Sequence, residues 1–138
     1  MLEILYPRRC AVCDEIEVTG KGICPLCKDK VHVAGEPACK KCGKPLVDER
    51  KEFCTDCGKK HHVYTQGKAV FVYEGGIRNS MYRFKYGNKR EYAEFYANAA
   101  VEKYGVWLNK IKAEVLIPIP MYSRTVSYTH LRAHETSL

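Results

Sequence analysis

The chain lacks any apolar run long enough to cross a bilayer. Its longest near-continuous stretch is "VLIPIPMY", and a spanning helix needs about 20 apolar residues. Membrane insertion is therefore not expected. The start, "MLEILYPRRC", lacks a basic head followed by an apolar core, so no secretory leader is expected and the cytoplasm is the expected compartment. Acidic residues are in deficit: 16 Asp/Glu against 23 Lys/Arg give a net charge of +7. The imbalance is local. Positions 1–62 carry twelve Lys/Arg against ten Asp/Glu, and positions 63–138 carry eleven against six. An anionic partner should prefer the second part.

Cysteine, by contrast, is abundant and confined. All eight residues lie in four C-x-x-C pairs: Cys10/Cys13, Cys24/Cys27, Cys39/Cys42 and Cys54/Cys57. In a reducing compartment such thiols are metal ligands before they are disulfides. The spacing lets one tight turn aim two sulfurs at one ion, and two such turns complete the tetrahedral shell zinc favours. A redox pair would be a single C-x-x-C opening a helix after a strand, which four pairs in a Gly/Pro-punctuated stretch do not match. His32, His61 and His62 lie near enough to compete as ligands, but eight thiolates already suffice for two ions. That saturation also leaves no open position for a catalytic metal.

Nearly equal gaps between the pairs do not fix which join. A crossed arrangement would unite first with third and second with fourth. The sequential one is preferred because shorter loops cost less to close, and because "EVTGKGI" resembles a hairpin with Gly20 and Gly22 at its tip. The sites expected are Cys10, Cys13, Cys24, Cys27 and Cys39, Cys42, Cys54, Cys57, holding two structural zinc ions in a double zinc ribbon over residues 1–62.

From residue 63 the composition changes. "KAVFVYEGG" reads as a strand closed by a Gly75-Gly76 turn. "IRNSMYRFKY" places Ile77, Met81 and Phe84 on one helical face, ended by Gly87-Asn88. "REYAEFYANAAVEKYGVWL" predicts a second helix ending near Gly105, and "AEVLIPIP" a buried strand that fails at Pro118 and Pro120. Strand, helices, strand suggest a parallel α/β unit. Within it, Arg78, Arg83, Lys85, Lys89 and Arg90 interleave with tyrosine and phenylalanine. One reading is a track for phosphates with rings to stack on the bases of single-stranded nucleic acid. The simpler and preferred one is an amphipathic helix with its cations in water.

"CAVC…CPLC" and "CKKCGKP…CTDCGKK", followed by "FVYEGGIRNSMYRFKYGNKREYA" and "EVLIPIPMYSR", resemble the first part of the ComF family of competence-associated proteins. The resemblance runs from about Tyr6 to Arg124. It implies a double zinc ribbon followed by a phosphoribosyltransferase-like α/β domain over residues 63–124, a link to DNA uptake, competence-machinery proteins as partners, and phosphoribosyl pyrophosphate as ligand of an intact parent. The family's later Asp-Asp…Thr-Thr-Gly phosphate loop has no counterpart here. The α/β unit is therefore expected to be truncated, with no catalytic residue and no activity of its own. Residues 125–138, "TVSYTHLRAHETSL", continue neither periodicity nor family pattern and resemble translated sequencing-adapter read-through, the alternative being a natural, poorly ordered C-terminus.

Overall fold

The computed structural model describes residues 7–117. They form four helices: α1 (Pro25–Lys28), α2 (Thr55–Lys59), α3 (Gly75–Tyr86) and α4 (Tyr92–Ile111). Among the described residues β structure is limited to three isolated antiparallel bridges: Arg9 with Ile16, Val33 with Phe71, and Ala38 with Pro45.

The two long helices follow their apolar faces. In α3, Ile77 is buried, and Met81 and Phe84 are half-buried beside it. Gly75-Gly76 opens this helix rather than closing a strand. Gly76 has to be small, because a Cβ there would lie 2.8 Å from Val12 Cγ1. Gly87 caps the C-terminus, its N–H donating to the Arg83 carbonyl at 2.7 Å, and Asn88 turns the chain at φ 54°. Helix α4 buries Tyr92 and Phe95. It passes through Gly105 to Ile111 instead of ending there. An interior glycine costs about 1 kcal/mol, but anchors on both sides hold this one. The Tyr104 hydroxyl donates to the Ala69 carbonyl at 2.8 Å, and Lys68 lies over the Trp107 ring at 5.6 Å.

The strand expected at Lys68–Gly76 is reduced to a single bridge. Ala34 N–H donates to Val70 O and Val72 N–H to His32 O, each at 2.9 Å, and no second neighbour extends the ladder. Lys103 Nζ, bonded to the carbonyls of Ala34 and Ala69, and the Tyr104 hydroxyl occupy acceptors that a pairing strand would need. Residues 113–117 are likewise not a strand, and Val115, Leu116 and Ile117 are 70%, 86% and 83% exposed. Pro118, Pro120 and the tail 125–138 lie outside the described residues. The expected α/β unit is thus helical as far as the described residues reach.

The core joins the two halves of the chain. Ala11, between the first two cysteines, is buried with Ile77, Tyr92 and Phe95, and Ile23, Val31, Phe71, Phe84 and Tyr96 pack around them. Phe71 and Phe95 stack at 5.4 Å, and Ser80 Oγ meets the Tyr96 hydroxyl at 2.6 Å.

Candidate metal centres

The knuckle at Cys10–Cys13 is built by backbone. Cys10 N–H donates to Glu15 O at 2.8 Å, and Asp14 N–H to Cys10 O at 2.9 Å. The knuckle at Cys39–Cys42 repeats it: Cys39 N–H donates to Lys44 O and Gly43 N–H to Cys39 O, both at 2.8 Å. Leaving either turn requires a left-handed residue, Asp14 at φ 68° in the first and Gly43 at φ 76° in the second. Glycine takes that conformation without cost, and aspartate is among the side chains that tolerate it. The other halves also match. Cys24 and Cys54 are the N-caps of α1 and α2, and Cys27 and Cys57 lie inside those helices. The structure therefore contains one zinc-knuckle-plus-helix unit twice.

The cysteines group sequentially. The sulfurs of Cys10, Cys13, Cys24 and Cys27 lie within 4.8 Å of one another, and so do those of Cys39, Cys42, Cys54 and Cys57. Between "EVTGKGI" and its flanks no ladder forms. Gly20 and Gly22 do turn the chain, at φ 73° and 72°, and the buried Glu17 carboxylate closes the loop. It accepts from Gly22 N–H at 3.1 Å and from the Thr19 amide and hydroxyl. Burial raises Glu17, yet these donors outweigh it and hold its carboxyl below the usual range.

Both groups fit zinc. Cys13 Sγ lies 3.7 Å from Cys24 Sγ, and Cys42 Sγ 3.7 Å from Cys54 Sγ. A disulfide would need about 2.05 Å, whereas the edge of a tetrahedron with ~2.3 Å zinc–sulfur bonds is about 3.8 Å. Amides are aimed at the innermost sulfurs: Val12 and Cys24 N–H each lie 3.4 Å from Cys10 Sγ. Burial raises the Cys10 thiol, but the Cys24, Cys13 and Val12 amides outweigh it and bring it to about 7. Burial raises Cys39 too, and the Cys42, Cys54 and Lys41 amides bring it to about 6. Opposite them, burial and neighbouring sulfurs push Cys27 and Cys57 up to about 12. Four thiols converging on one point ionise together only around a cation, which reverses that logic. With all four positions filled by sulfur, the site shapes the chain and offers substrate no coordination position. Among the described residues the groups that could hold a metal contain cysteine alone, so His32, His61 and His62 are in neither.

The five predicted cations are dispersed. Arg83 donates to the Val12 carbonyl and is half-buried. Lys89 Nζ pairs with Asp14 at 2.7 Å and lies 3.8 Å from Glu91. Both serve the first knuckle. Arg78 and Lys85 are exposed along α3, Arg78 beside Tyr73, Asn79 and Tyr82. Arg90 lines a separate cleft of about 320 Å³ with Arg9, Lys21 and Glu94. The structure brings no continuous five-residue track together.

Three contributors escaped the sequence reading: Asp14, Glu17 and Tyr92. The Tyr92 hydroxyl donates to Asp14 Oδ1 at 2.6 Å. Partial burial raises Asp14, but Lys89 and Tyr92 outweigh it and lower its carboxyl, while burial and the Asp14 charge raise the Tyr92 phenol well above its usual value. Aligning the two repeats gives the signal for Asp14, an aspartate standing where the second unit has Gly43.

Residues 1–58 match the family model of the double zinc ribbon domain. No curated protein matches the chain, and no solved structure does. The N-terminal part is a double zinc ribbon with two four-cysteine sites fitted to two structural zinc ions. No helix among the described residues is long and apolar enough to cross a membrane.

Proposed function

We propose that the chain is the zinc-bound amino-terminal part of a ComF-like protein, in which the ribbon is a rigid base for the helices that follow. One observation carries this reading. The segment "YEGGIRNSMYRFKYGNKREYA", which bears much of the family resemblance, folds as α3 and the start of α4, and it is seated on the first zinc knuckle. Gly76 gives way to Val12, Arg83 holds the Val12 carbonyl, and Lys89 and Tyr92 hold Asp14. The ribbon and the segment are thus one folded unit rather than beads on a linker. The exposed Val115-Leu116-Ile117 run suits a strand paired with sequence outside this chain.

On this reading phosphoribosyl pyrophosphate and the proteins of DNA uptake are ligands and partners of the intact parent, and the compartment is cytoplasmic. Zinc here supplies folding energy and no chemistry. The described residues contain no counterpart of the family's Asp-Asp…Thr-Thr-Gly phosphate loop, so no transfer step is assigned to them. The test is the gene itself. The reading frame beyond the Arg124 codon should resume, in intact copies, with a strand and an Asp-Asp…Thr-Thr-Gly loop, and the 138-residue chain should release no pyrophosphate from phosphoribosyl pyrophosphate. Turnover by this chain, or a natural stop at Leu138, overturns the proposal.

A second reading has its own motive. Tyr73, Tyr82 and Tyr86 are exposed on or beside α3 with Arg78 and Lys85, a surface suited to stacking and phosphate contact by single-stranded DNA. It requires binding that weakens steeply with salt and falls when Arg78 and Lys85 become Ala. Salt-insensitive or absent binding removes it.

A further inference from the structure

We propose that the two zinc sites are unequal in hold: the Cys39/Cys42/Cys54/Cys57 site releases its ion first, and the Cys10/Cys13/Cys24/Cys27 site alone keeps α3 and α4 docked. The inference takes zinc as the resident metal, to which both donor sets are fitted.

The ligands and turns of the two units match, so the difference must come from what surrounds them. An ion leaves when a knuckle and its partner helix part. At the first site that motion is opposed by side chains from elsewhere in the chain. Arg83 holds the carbonyl of Val12, and Tyr92 and Lys89 hold Asp14, the residue after Cys13. Parting would also uncover Ala11 and Val12, both buried, together with Ile77, Tyr92 and Phe95. Cys10 and Cys27 belong to a buried cluster with Val12.

The second site buries Cys39 and Cys54 but is less enclosed by side chains from elsewhere in the chain. None of its cysteines belongs to either buried apolar cluster, and α2 buries no residue, whereas α1 buries Cys27. Its cover is the backbone of residues 67–69 against Gly43, the backbone bonds Gly67 N–H to Lys41 O at 2.6 Å and Lys40 N–H to Glu52 O at 2.9 Å, the exposed Gln66 side chain donating to Lys40 O at 3.4 Å, and Tyr64, which is 42% exposed. The ion pairs spanning it, Lys40 with Glu52 and Lys44 with Asp56, are solvent-exposed and contribute little. Partners around metal ligands commonly change affinity 10- to 100-fold. Here the first site has charged, half-buried partners and the Tyr92 hydroxyl at its knuckle, whereas the second has one long, exposed amide contact, Gln66 Nε2 to the Lys40 carbonyl at 3.4 Å.

The test follows zinc release from the full zinc-loaded chain into excess pyridylazoresorcinol, with amide hydrogen exchange of residues 75–111 measured alongside. Two phases of one ion each are expected, differing roughly 10-fold or more in rate, and helix protection should fall only with the second. The double variant Cys39→Ser/Cys42→Ser should keep one ion, show only the slow phase and retain protected helices. Arg83→Met should speed the slow phase by about 10-fold and leave the fast one unchanged. Release of both ions in a single phase, loss of helix protection with the first ion, a double variant that fails to fold, or an Arg83→Met effect on the fast phase each overturns the proposal.

Discussion

The ribbon and the helical pair are held by different forces. Between residues 7 and 60 there is little for a core to use. Apart from cysteines, the buried apolar residues are Ala11, Val12 and Ala34, and Val18, Leu26 and Val47 face water. Turns, amides and eight sulfurs do the positioning. Between residues 75 and 111 aromatic packing takes over: Phe84 and Phe95, together with Phe71 just ahead of this stretch, each make ring contact with Tyr96. A segment too poor in apolar residues to fold alone can still be rigid if a metal joins its ends, and one face of it can then serve as the floor of a neighbour's core.

The largest break in this comparison is removal of metal. Apparent binding free energies of structural zinc in small domains are about 10–16 kcal/mol, more than the ribbon's own packing can replace. Metal analysis should give near two zinc per chain, and chelation should abolish the ordered ribbon by circular dichroism. A metal-free chain that stays folded would falsify the account. Acid should act in the same direction. In the folded geometry the amides around Cys10 and Cys39 bring them to about 7 and about 6, below an ordinary thiol. Their ionised form is therefore favoured in the fold, and the contribution is lost as pH falls through that range. Zinc affinity measured by competition should drop from pH 7.5 to 5.5, and because the metal-free ribbon is unfolded with protonated thiols, zinc uptake at pH 7 should release close to four protons per site.

The next break strikes the helical side. Phe95→Ala removes a buried ring from the shared core and should cost about 3–5 kcal/mol in denaturant unfolding, with both ions still bound at saturating zinc. Loss of both ions at saturation would mean that the ribbon depends on the helices more than on its metal.

How much of this was visible in the sequence follows the same divide. The knuckles were legible because C-x-x-C fixes two ligands within one turn, but a glycine after the pair is no sure mark of a left-handed exit: Gly43 takes one, whereas Gly58 lies inside α2. Helix α3 was legible from Ile77, Met81 and Phe84. What failed were statements that depend on partners distant in sequence. "KAVFVY" has the composition of a strand, but Lys103 and Tyr104, more than thirty residues on, take the carbonyl of Ala69. "AEVLI" has strand composition too, and no neighbour pairs with it among the described residues. Arg83 and Lys89 looked like solvated charge because nothing local shows that Val12 O and Asp14 await them. Periodicity reports which face is buried, not which cation is used to bury it.

A finer probe separates geometry from charge at the seam. Tyr92→Phe keeps the ring in the core and deletes only the donor to Asp14, leaving a carboxylate with Lys89 as its remaining close partner. A loss of about 1–3 kcal/mol is expected, smaller than for Phe95→Ala. Because Asp14 is ionised more readily in the fold than outside it, its contribution is present at neutral pH and lost as pH falls below about 4. Measured by denaturant titration at fixed zinc, the Tyr92→Phe deficit should therefore be full at pH 7.

The smallest effect belongs to the ribbon's outer face and completes the contrast. Lys40→Ala removes an ion pair with Glu52 whose side chains are 64% and 60% exposed. Exposed pairs contribute about 0–1 kcal/mol, further reduced by salt, so unfolding midpoints of Lys40→Ala and the parent should nearly coincide at 0.15 M salt. A cost comparable to that of Tyr92→Phe would mean that the second site is held by its surface charges. The asymmetry drawn between a sulfur-held outer unit and a side-chain-clamped inner one would then have to be abandoned.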